Sequence, residues 1–500
     1  MDLDLTPVRS LLADGTVRYR TFVHGGWSDA KDGATLDVRD PQDGTVFARV
    51  PRLTPAEVEA AVETAVASKR RIRDLAAIDR IGILDRAADL MVDHADELAA
   101  LLVQEAGKPV SVAKGEVKAS WERLRLTLEE ARVLHGDYIP GDWVKDTAGK
   151  FAIVRREPRG VVATICPYNY PLFTAVSKIA PALVAGNTVV AKPATQTPVS
   201  LLHFARLLEV AGLPQGAFQV VTGRGSSVGE ALASHAKVDM ITFTGSTEVG
   251  ERIASLAPTK KLNLELGGKG AAIVLDDANL DLAAREVARG GLRFSGQRCD
   301  AVDRIFVQGD VGDAFVAKLL AEVAKYKVGD PREAATQVGP LIDEGAVRFV
   351  HGLVEDAVAK GAKVLVGGSP VDSRHYPATV LDGVTREMRV AREESFGPLL
   401  PIMRRATIEA ILLEANESEY ALDSCVFTND INKAFGIARR LEDGEVTING
   451  APAHGVGHFP FGGNKRSGLG REGIGQSIEE MTRTQTIVFN MPPMDKPFAW

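Results

Sequence analysis

The sequence predicts an α/β fold with two Rossmann-like, parallel-sheet domains and a separate strand element. Three observations carry this. From residue 160 short apolar runs alternate with helical stretches, a second such series begins near residue 271 and runs to about residue 448, and residues 486–490 read as one strand ahead of a Pro-rich arm ending at Trp500. Near-continuous apolar strands separated by helices imply parallel sheets covered on both faces, and two of them in tandem form a cleft. Ligands of such sheets sit beyond the carboxyl ends of strands, so function is sought in the loops that follow them.

Composition narrows the classes. A chain of 500 residues with 45% hydrophobic side chains is too apolar to be disordered and long enough for two or three domains. Its 59 basic and 66 acidic residues, net −7, gather into no block of one sign, which argues against nucleic acid or an anionic membrane as the main partner. No run reaches the roughly 18 apolar residues of a membrane span. The first residues lack the basic start and apolar run of a secretory leader, so the expected setting is cytoplasmic. Cys166, Cys299 and Cys425 are odd in number and widely spaced, which suits a reduced compartment and requires each thiol to be explained singly.

In chain order, Thr54 and Pro55 read as an N-cap with proline at the first helical position. A second helix is expected over 79–105, stopped by Gly107 and Pro109, and a third over about 114–135. Residues 136–142 read as a turn leading into a strand over 150–156. The first alternating series then gives strands at 161–165, 188–192, 218–221 and 240–243, with helices at 172–185, 199–211, 227–234 and 248–254. The second series opens with a strand over 271–275.

Several side chains stand out chemically. Cys299, in Ser295-Gly296-Gln297-Arg298-Cys299, is either a small buried hydrophobe or a nucleophile. The polar, glycine-punctuated loop and the adjacent Arg298 favour a thiolate, because a neighbouring cation lowers a thiol's pKa. Cys166 and Cys425 lie in apolar runs and read as packing residues. Glu265, between two leucines, is either a solvated strand end or a desolvated carboxyl suited to general-base work. Gly223, Gly225 and Gly229 follow one strand and Gly245-Ser246 follow another; two such strand-to-helix turns make a pyrophosphate site credible, against the plainer reading of tight helix packing. His454 and His458 share a Gly/Pro-rich loop and no helical face, and no metal is expected.

Taken together these segments resemble the aldehyde dehydrogenase superfamily over nearly the whole chain. The resemblance rests on Glu105-Ala106-Gly107-Lys108-Pro109, Pro167-Tyr168-Asn169-Tyr170-Pro171, residues 186–193, Phe243-Thr244-Gly245-Ser246, Glu265-Leu266-Gly267-Gly268-Lys269, Gly296-Gln297-Arg298-Cys299, Glu394-Ser395-Phe396-Gly397-Pro398, residues 459–463 and 465–468. It implies Cys299 as the nucleophile attacking an aldehyde, Asn169 with the Cys299 N–H as the oxyanion hole, and Glu265 as the base that activates the hydrolytic water. Lys192 and Glu394 would hold the cofactor riboses, Ser246 with Gly225 and Gly229 the pyrophosphate, and Ile165, Pro167 and Phe396 would flank the cofactor. Retention of Glu265 separates the chain from the acylating branch. Thr195 stands where NAD-preferring members carry a glutamate, so NADP is the expected cofactor, with NAD possible.

Within that superfamily the chain resembles in particular the non-phosphorylating glyceraldehyde-3-phosphate dehydrogenases of archaeal type, through residues 136–143, 154–158 and 169–171, Gly296-Gln297-Arg298-Cys299-Asp300 and residues 454–457. The resemblance implies a small phosphorylated aldehyde as substrate, with Arg125, Tyr170 and Arg298 on its phosphate. His454 replaces a fourth arginine. A solvated helix charge is the other reading of Arg125. Lactaldehyde, succinate semialdehyde or a phosphonoaldehyde are alternative substrates, and a catalytically idle member of the fold would have lost Cys299, Glu265 or Asn169. By the same resemblance the cofactor-binding domain spans 1–135 and 157–264, the catalytic domain 265–450, the oligomerisation element of a homotetramer 136–156 and 480–500, and a substrate-loop and return segment 451–479.

Overall fold

A computed structural model, which describes residues 3–454 and 457–491, contains two large sheets. The Pro-rich arm and Trp500 lie outside the described residues, as do residues 455–456 of the 454–457 segment.

The first helix, Pro55–Arg73, begins on a capping box: Thr54 accepts from the Glu57 N–H while the Glu57 carboxylate accepts from the Thr54 N–H. The single helix expected over 79–105 is two, Ala77–Asp93 and Ala95–Ala106, broken at His94. Asp96 and Glu97 suit the amino end of a new helix, where carboxylates meet the dipole, and this favours the break. Gly107 ends it in the left-handed region at φ 68°, where an added Cβ would lie 2.8 Å from Pro340. The next helix, Val110–Glu130, starts and ends earlier than expected. Residues 136–142 are not only turn: Asp137–Pro140 is a strand pairing antiparallel with Lys150–Pro158, with Tyr138 packed 5.5 Å from Phe151. Four-stranded and two-stranded sheets built from strands between Arg9 and Pro51 had no counterpart in the sequence reading.

The first large sheet has the order 218–220, 188–192, 161–165, 240–244, 261–265, 468–469, all parallel except the last pair. Its register aligns Lys192 with Ile165, Phe243 with Ile165 and Thr244 with Glu265, so these ends open on the same edge. The helix Pro171–Val184 on its face is buried along its whole length, including Lys178. The second sheet runs 363–366, 379–382, 399–405, 302–308, 270–274, 423–427, 445–448, with only the first pair antiparallel. Residues 266–269 are the short bridge between the sheets.

A third, three-stranded sheet joins Thr482–Asn490, Lys150–Pro158 and Asp137–Pro140. It leaves Tyr138 and Val488 exposed, with Trp143 exposed in the connecting loop. Among the described residues no helix is long and apolar enough to cross a membrane.

The capping box gives a direct test of the first helix. Thr54→Ala should lower stability by about 1 kcal/mol in denaturant unfolding while leaving the catalytic rate unaltered. An unchanged midpoint would contradict a structural contribution from the box.

Candidate active site

Cys299 lies just ahead of strand Val302–Gln308 of the second sheet and is pressed against the bridge from the first. The approach is so close that a Cβ on Gly268 would stand 2.2 Å from the Cys299 carbonyl oxygen. Before it, Phe294, Ser295 and Gly296 all adopt left-handed backbone (φ 52°, 55° and 72°). Such a run is costly for non-glycine residues and persists only where surroundings hold it. Ser295 Oγ donates to the Gly339 carbonyl at 2.9 Å, Gln297 Oε1 accepts from the Ile342 N–H at 2.9 Å, and Gln297 Nε2 donates to the Pro340 carbonyl at 3.3 Å.

Asn169 closes the loop from the other side. Its Nδ2 donates to the carbonyl of Gln297, two residues before Cys299, at 2.9 Å. Two cavities meet here, and Asn169, Thr244 and Cys299 line both. The larger, about 570 Å³, is walled by Ile165, Pro167, Lys192, Gly225, Gly229, Ser246, Glu394 and Phe396. The smaller, about 300 Å³, is walled by Tyr170, Arg123, Arg293, Arg298, Asp300 and His454 among others.

Glu265 ends a strand of the first sheet, directly in register with Thr244 on the neighbouring strand. It is 1% exposed, and neither carboxyl oxygen has a hydrogen-bond partner within the protein. Burial, reinforced by the Glu472 charge, pushes its carboxyl well above the usual range. Gly462 leaves it room, since a Cβ there would lie 2.9 Å from Glu265 Oε1. A nucleophilic sulfur, an amide donor and a buried carboxyl around one junction of two cavities can perform acyl chemistry with water activation.

The sequence pattern of the aldehyde dehydrogenase family matches residues 27–487. The chain belongs to the aldehyde dehydrogenase family. It is 41% identical over 477 residues to the NADP-dependent glyceraldehyde-3-phosphate dehydrogenase of Streptococcus equinus, covering 95% of this chain and 99% of that one. It is 42% identical over 468 residues to the glutarate-semialdehyde dehydrogenase of Pseudomonas aeruginosa, covering 93% and 96%. Among solved structures, the NADP-dependent glyceraldehyde-3-phosphate dehydrogenase of Bacillus halodurans, complexed with NADP, superposes with a TM-score of 0.93 at 41% identity, over 95% of this chain and 99% of that one. The fold is that of the family's α/β members.

Two sequence expectations need correction. Arg125 does not face the cavity: it pairs with Asp85 and Asp89 on the helix Ala77–Asp93. Arg123, two residues earlier and 4% exposed, lines the cavity wall instead and sits 5.5 Å over the Phe173 ring. Residues two apart on a helix point to nearly opposite sides. Nor does Arg298 serve the thiolate. Its guanidinium is bidentate to Asp300 at 2.9 and 2.7 Å. Burial, with Asp300 next, raises the Cys299 thiol well above its usual value.

His454 lines the smaller cavity, donates its backbone N–H to Asp300 at 3.0 Å, stacks on Phe461 at 3.9 Å and places Nε2 3.5 Å from Glu472. Lys192 and Glu394 are both brought to about 8 by burial. Thr195 is not among the wall residues; its hydroxyl donates to the Gly223 carbonyl at 3.3 Å, between the lining residues Ala194 and Gln196. Cys166 and Cys425 are buried. The sequence reading missed Lys178 and Glu472, a buried ion pair behind Glu265, and Arg293 in the cavity wall. A lone lysine in the otherwise uncharged run of residues 175–184 was the available signal for Lys178.

The upward push on the Cys299 thiol has a measurable consequence. Alkylation of Cys299 by iodoacetamide should keep accelerating with pH beyond about 9, and Asp300→Asn should shift that curve to lower pH. A wild-type plateau below about pH 7, read by mass spectrometry of the Cys299 peptide, would contradict it.

Proposed function

We propose that the protein oxidises a small anionic aldehyde, D-glyceraldehyde 3-phosphate above others, to the carboxylate through a thioester on Cys299, with NADP as hydride acceptor. The observation that carries the reading is the wall of the smaller cavity, which Arg123 and Arg293 line together with Cys299 and with Arg298, whose guanidinium is paired with Asp300. Guanidinium groups grip phosphate and carboxylate by paired hydrogen bonds. Tyr170, whose phenol burial pushes up to about 12, adds a neutral donor.

The larger cavity fits a dinucleotide. Ser246 opens the helix Thr247–Leu256 without a side-chain cap bond, which leaves its first backbone N–H groups for a pyrophosphate. Nothing lies within 4 Å of a Cβ placed on Gly225. Lys192 and Glu394 supply a cation and a carboxyl for ribose hydroxyls, and Thr195, as an uncharged residue, does not repel a 2′-phosphate. The relatives named as NADP-dependent agree with this choice. When bound, the nicotinamide takes the aldehyde hydride.

The residues then divide the work. Cys299 Sγ loses its proton and bonds to the aldehyde carbon, and Asn169 Nδ2 with the Cys299 N–H receives the oxyanion. Loss of hydride turns this adduct into a thioester. Glu265 draws a proton from water, the water oxygen bonds to the acyl carbon, and the C–S bond breaks to release the acid and restore the sulfur. Because Glu265 is raised by burial and by Glu472, its base form is gained as pH rises, so turnover falls on acidification well above the ordinary carboxylate range.

A second reading, oxidation of a dicarboxylic semialdehyde, is favoured by the similarity to glutarate-semialdehyde dehydrogenases. The same arginines could take a carboxylate. We also assign the apolar three-stranded sheet to self-association as a tetramer, and the unpaired cysteines suit a reducing cytoplasm.

Comparison of kcat/KM for glyceraldehyde 3-phosphate, glutarate semialdehyde and unphosphorylated glyceraldehyde, each with NADP and NAD, tests the assignment. The phosphorylated aldehyde with NADP should lead; a lead for glutarate semialdehyde would transfer it to the second reading. Cys299→Ala should be inactive, and Glu265→Gln should give a single burst of NADPH without steady turnover. Arg123→Leu should raise KM for glyceraldehyde 3-phosphate at least about tenfold, while Arg125→Leu should leave it within about twofold. The reverse order would restore Arg125 to the phosphate site.

A further inference from the structure

Lys108 and Glu116 form a fully buried ion pair between the helix Val110–Glu130 and the residues leading into it. The pair does more than fill space. Glu116 Oε1 accepts the backbone N–H groups of Leu172 and Phe173 at 3.0 and 3.1 Å. These open the helix Pro171–Val184, immediately after Asn169 and Tyr170. The carboxylate thus supplies the cap that this helix lacks from its own Tyr170, in the position where the dipole favours a negative charge. On the other side the Lys108 ammonium stands 3.5 Å over the Tyr170 ring and 4.6 Å from that of Phe294, two rings that meet edge-on at 6.0 Å. Phe294 belongs to the left-handed turn that leads to Cys299.

We propose that Lys108, held by Glu116, is a positioning residue that clamps Tyr170 between the oxyanion segment and the nucleophile loop and so sets the grip on the anionic end of the substrate. The inference rests on the anionic-aldehyde reading given above. Lys108 itself lies behind Tyr170 and outside the cavity wall, so it acts through the ring. A cation over an aromatic face is attracted most strongly when it is stripped of water, as here. The ammonium keeps its charge against the cost of burial through the opposed Glu116, although burial still lowers it to about 8. Because Phe294 and Tyr170 come from opposite sides of the junction, one cation fixes both.

The test is a double-mutant cycle on the full-length enzyme. Lys108→Met leaves Glu116 as an unpaired buried carboxylate, so Lys108→Met/Glu116→Gln is made beside it as the neutral pair that keeps the amide carbonyl for the Leu172 and Phe173 N–H groups. Each is measured alone and combined with Tyr170→Leu. In the neutral-pair background KM for glyceraldehyde 3-phosphate should rise about tenfold with kcat falling less than about threefold, and unphosphorylated glyceraldehyde should change by less than about threefold. Adding Tyr170→Leu should produce little further loss, because both changes remove the same contact. Equal losses for both aldehydes, or additive effects of the neutral pair and Tyr170→Leu, would overturn the inference. If the wild type shows no preference for the phosphorylated aldehyde, the anionic-substrate reading has failed, and the additivity of the cycle, measured with whichever aldehyde is turned over, still decides the clamp.

Discussion

The site depends on how closely the loop that carries Cys299 is pressed against the bridge between the two sheets. No side chain fits at Gly268, and the left-handed turn at 294–296 aims the loop at the first sheet. Strain of that kind survives only because Ser295 and Gln297 are tied to backbone groups at 339, 340 and 342, and Asn169 to the Gln297 carbonyl. The two cavities share a sulfur because of this contact. Loosening it would separate the place where a hydride leaves from the place where the aldehyde is held.

Around that seam, buried ionised groups are matched in pairs. Lys108 meets Glu116, Lys178 meets Glu472, Lys269 meets Asp303 and Arg298 meets Asp300. Removing one partner would leave an uncompensated buried charge, which is costly. Cys299 and Glu265 differ: burial and neighbouring carboxylates push both groups above their usual values.

The two sheets were legible because their strands are buried on both faces and so appear as unbroken apolar runs. The strands between Arg9 and Pro51 are short, mostly three residues, and leave too little pattern to read. Cys299, Glu265 and Asn169, the proposed catalytic residues, each sit in a distinctive motif, and the structure brings them to one junction of two cavities. What failed was orientation. Arg123 and Arg125 lie on one helix two positions apart, and only the structure shows which faces the cavity and which is spent on Asp85 and Asp89. Likewise Arg298 is adjacent to Cys299 in sequence, yet Asp300, one residue beyond the thiol, takes its guanidinium. Adjacency along a chain says little about which neighbour a long side chain selects.

Substrate choice and chemistry are joined at consecutive residues. Asn169 lines both cavities and Tyr170 the smaller one, where the proposed oxyanion and anion contacts lie, and both precede the first turn of one buried helix. A shift of that turn by a fraction of an ångström moves the donor for the reacting oxygen together with the donor for the distant anion. Binding energy gained at the anionic end can therefore be spent on aligning the carbonyl with Cys299, which is how remote contacts raise the rate of a chemical step.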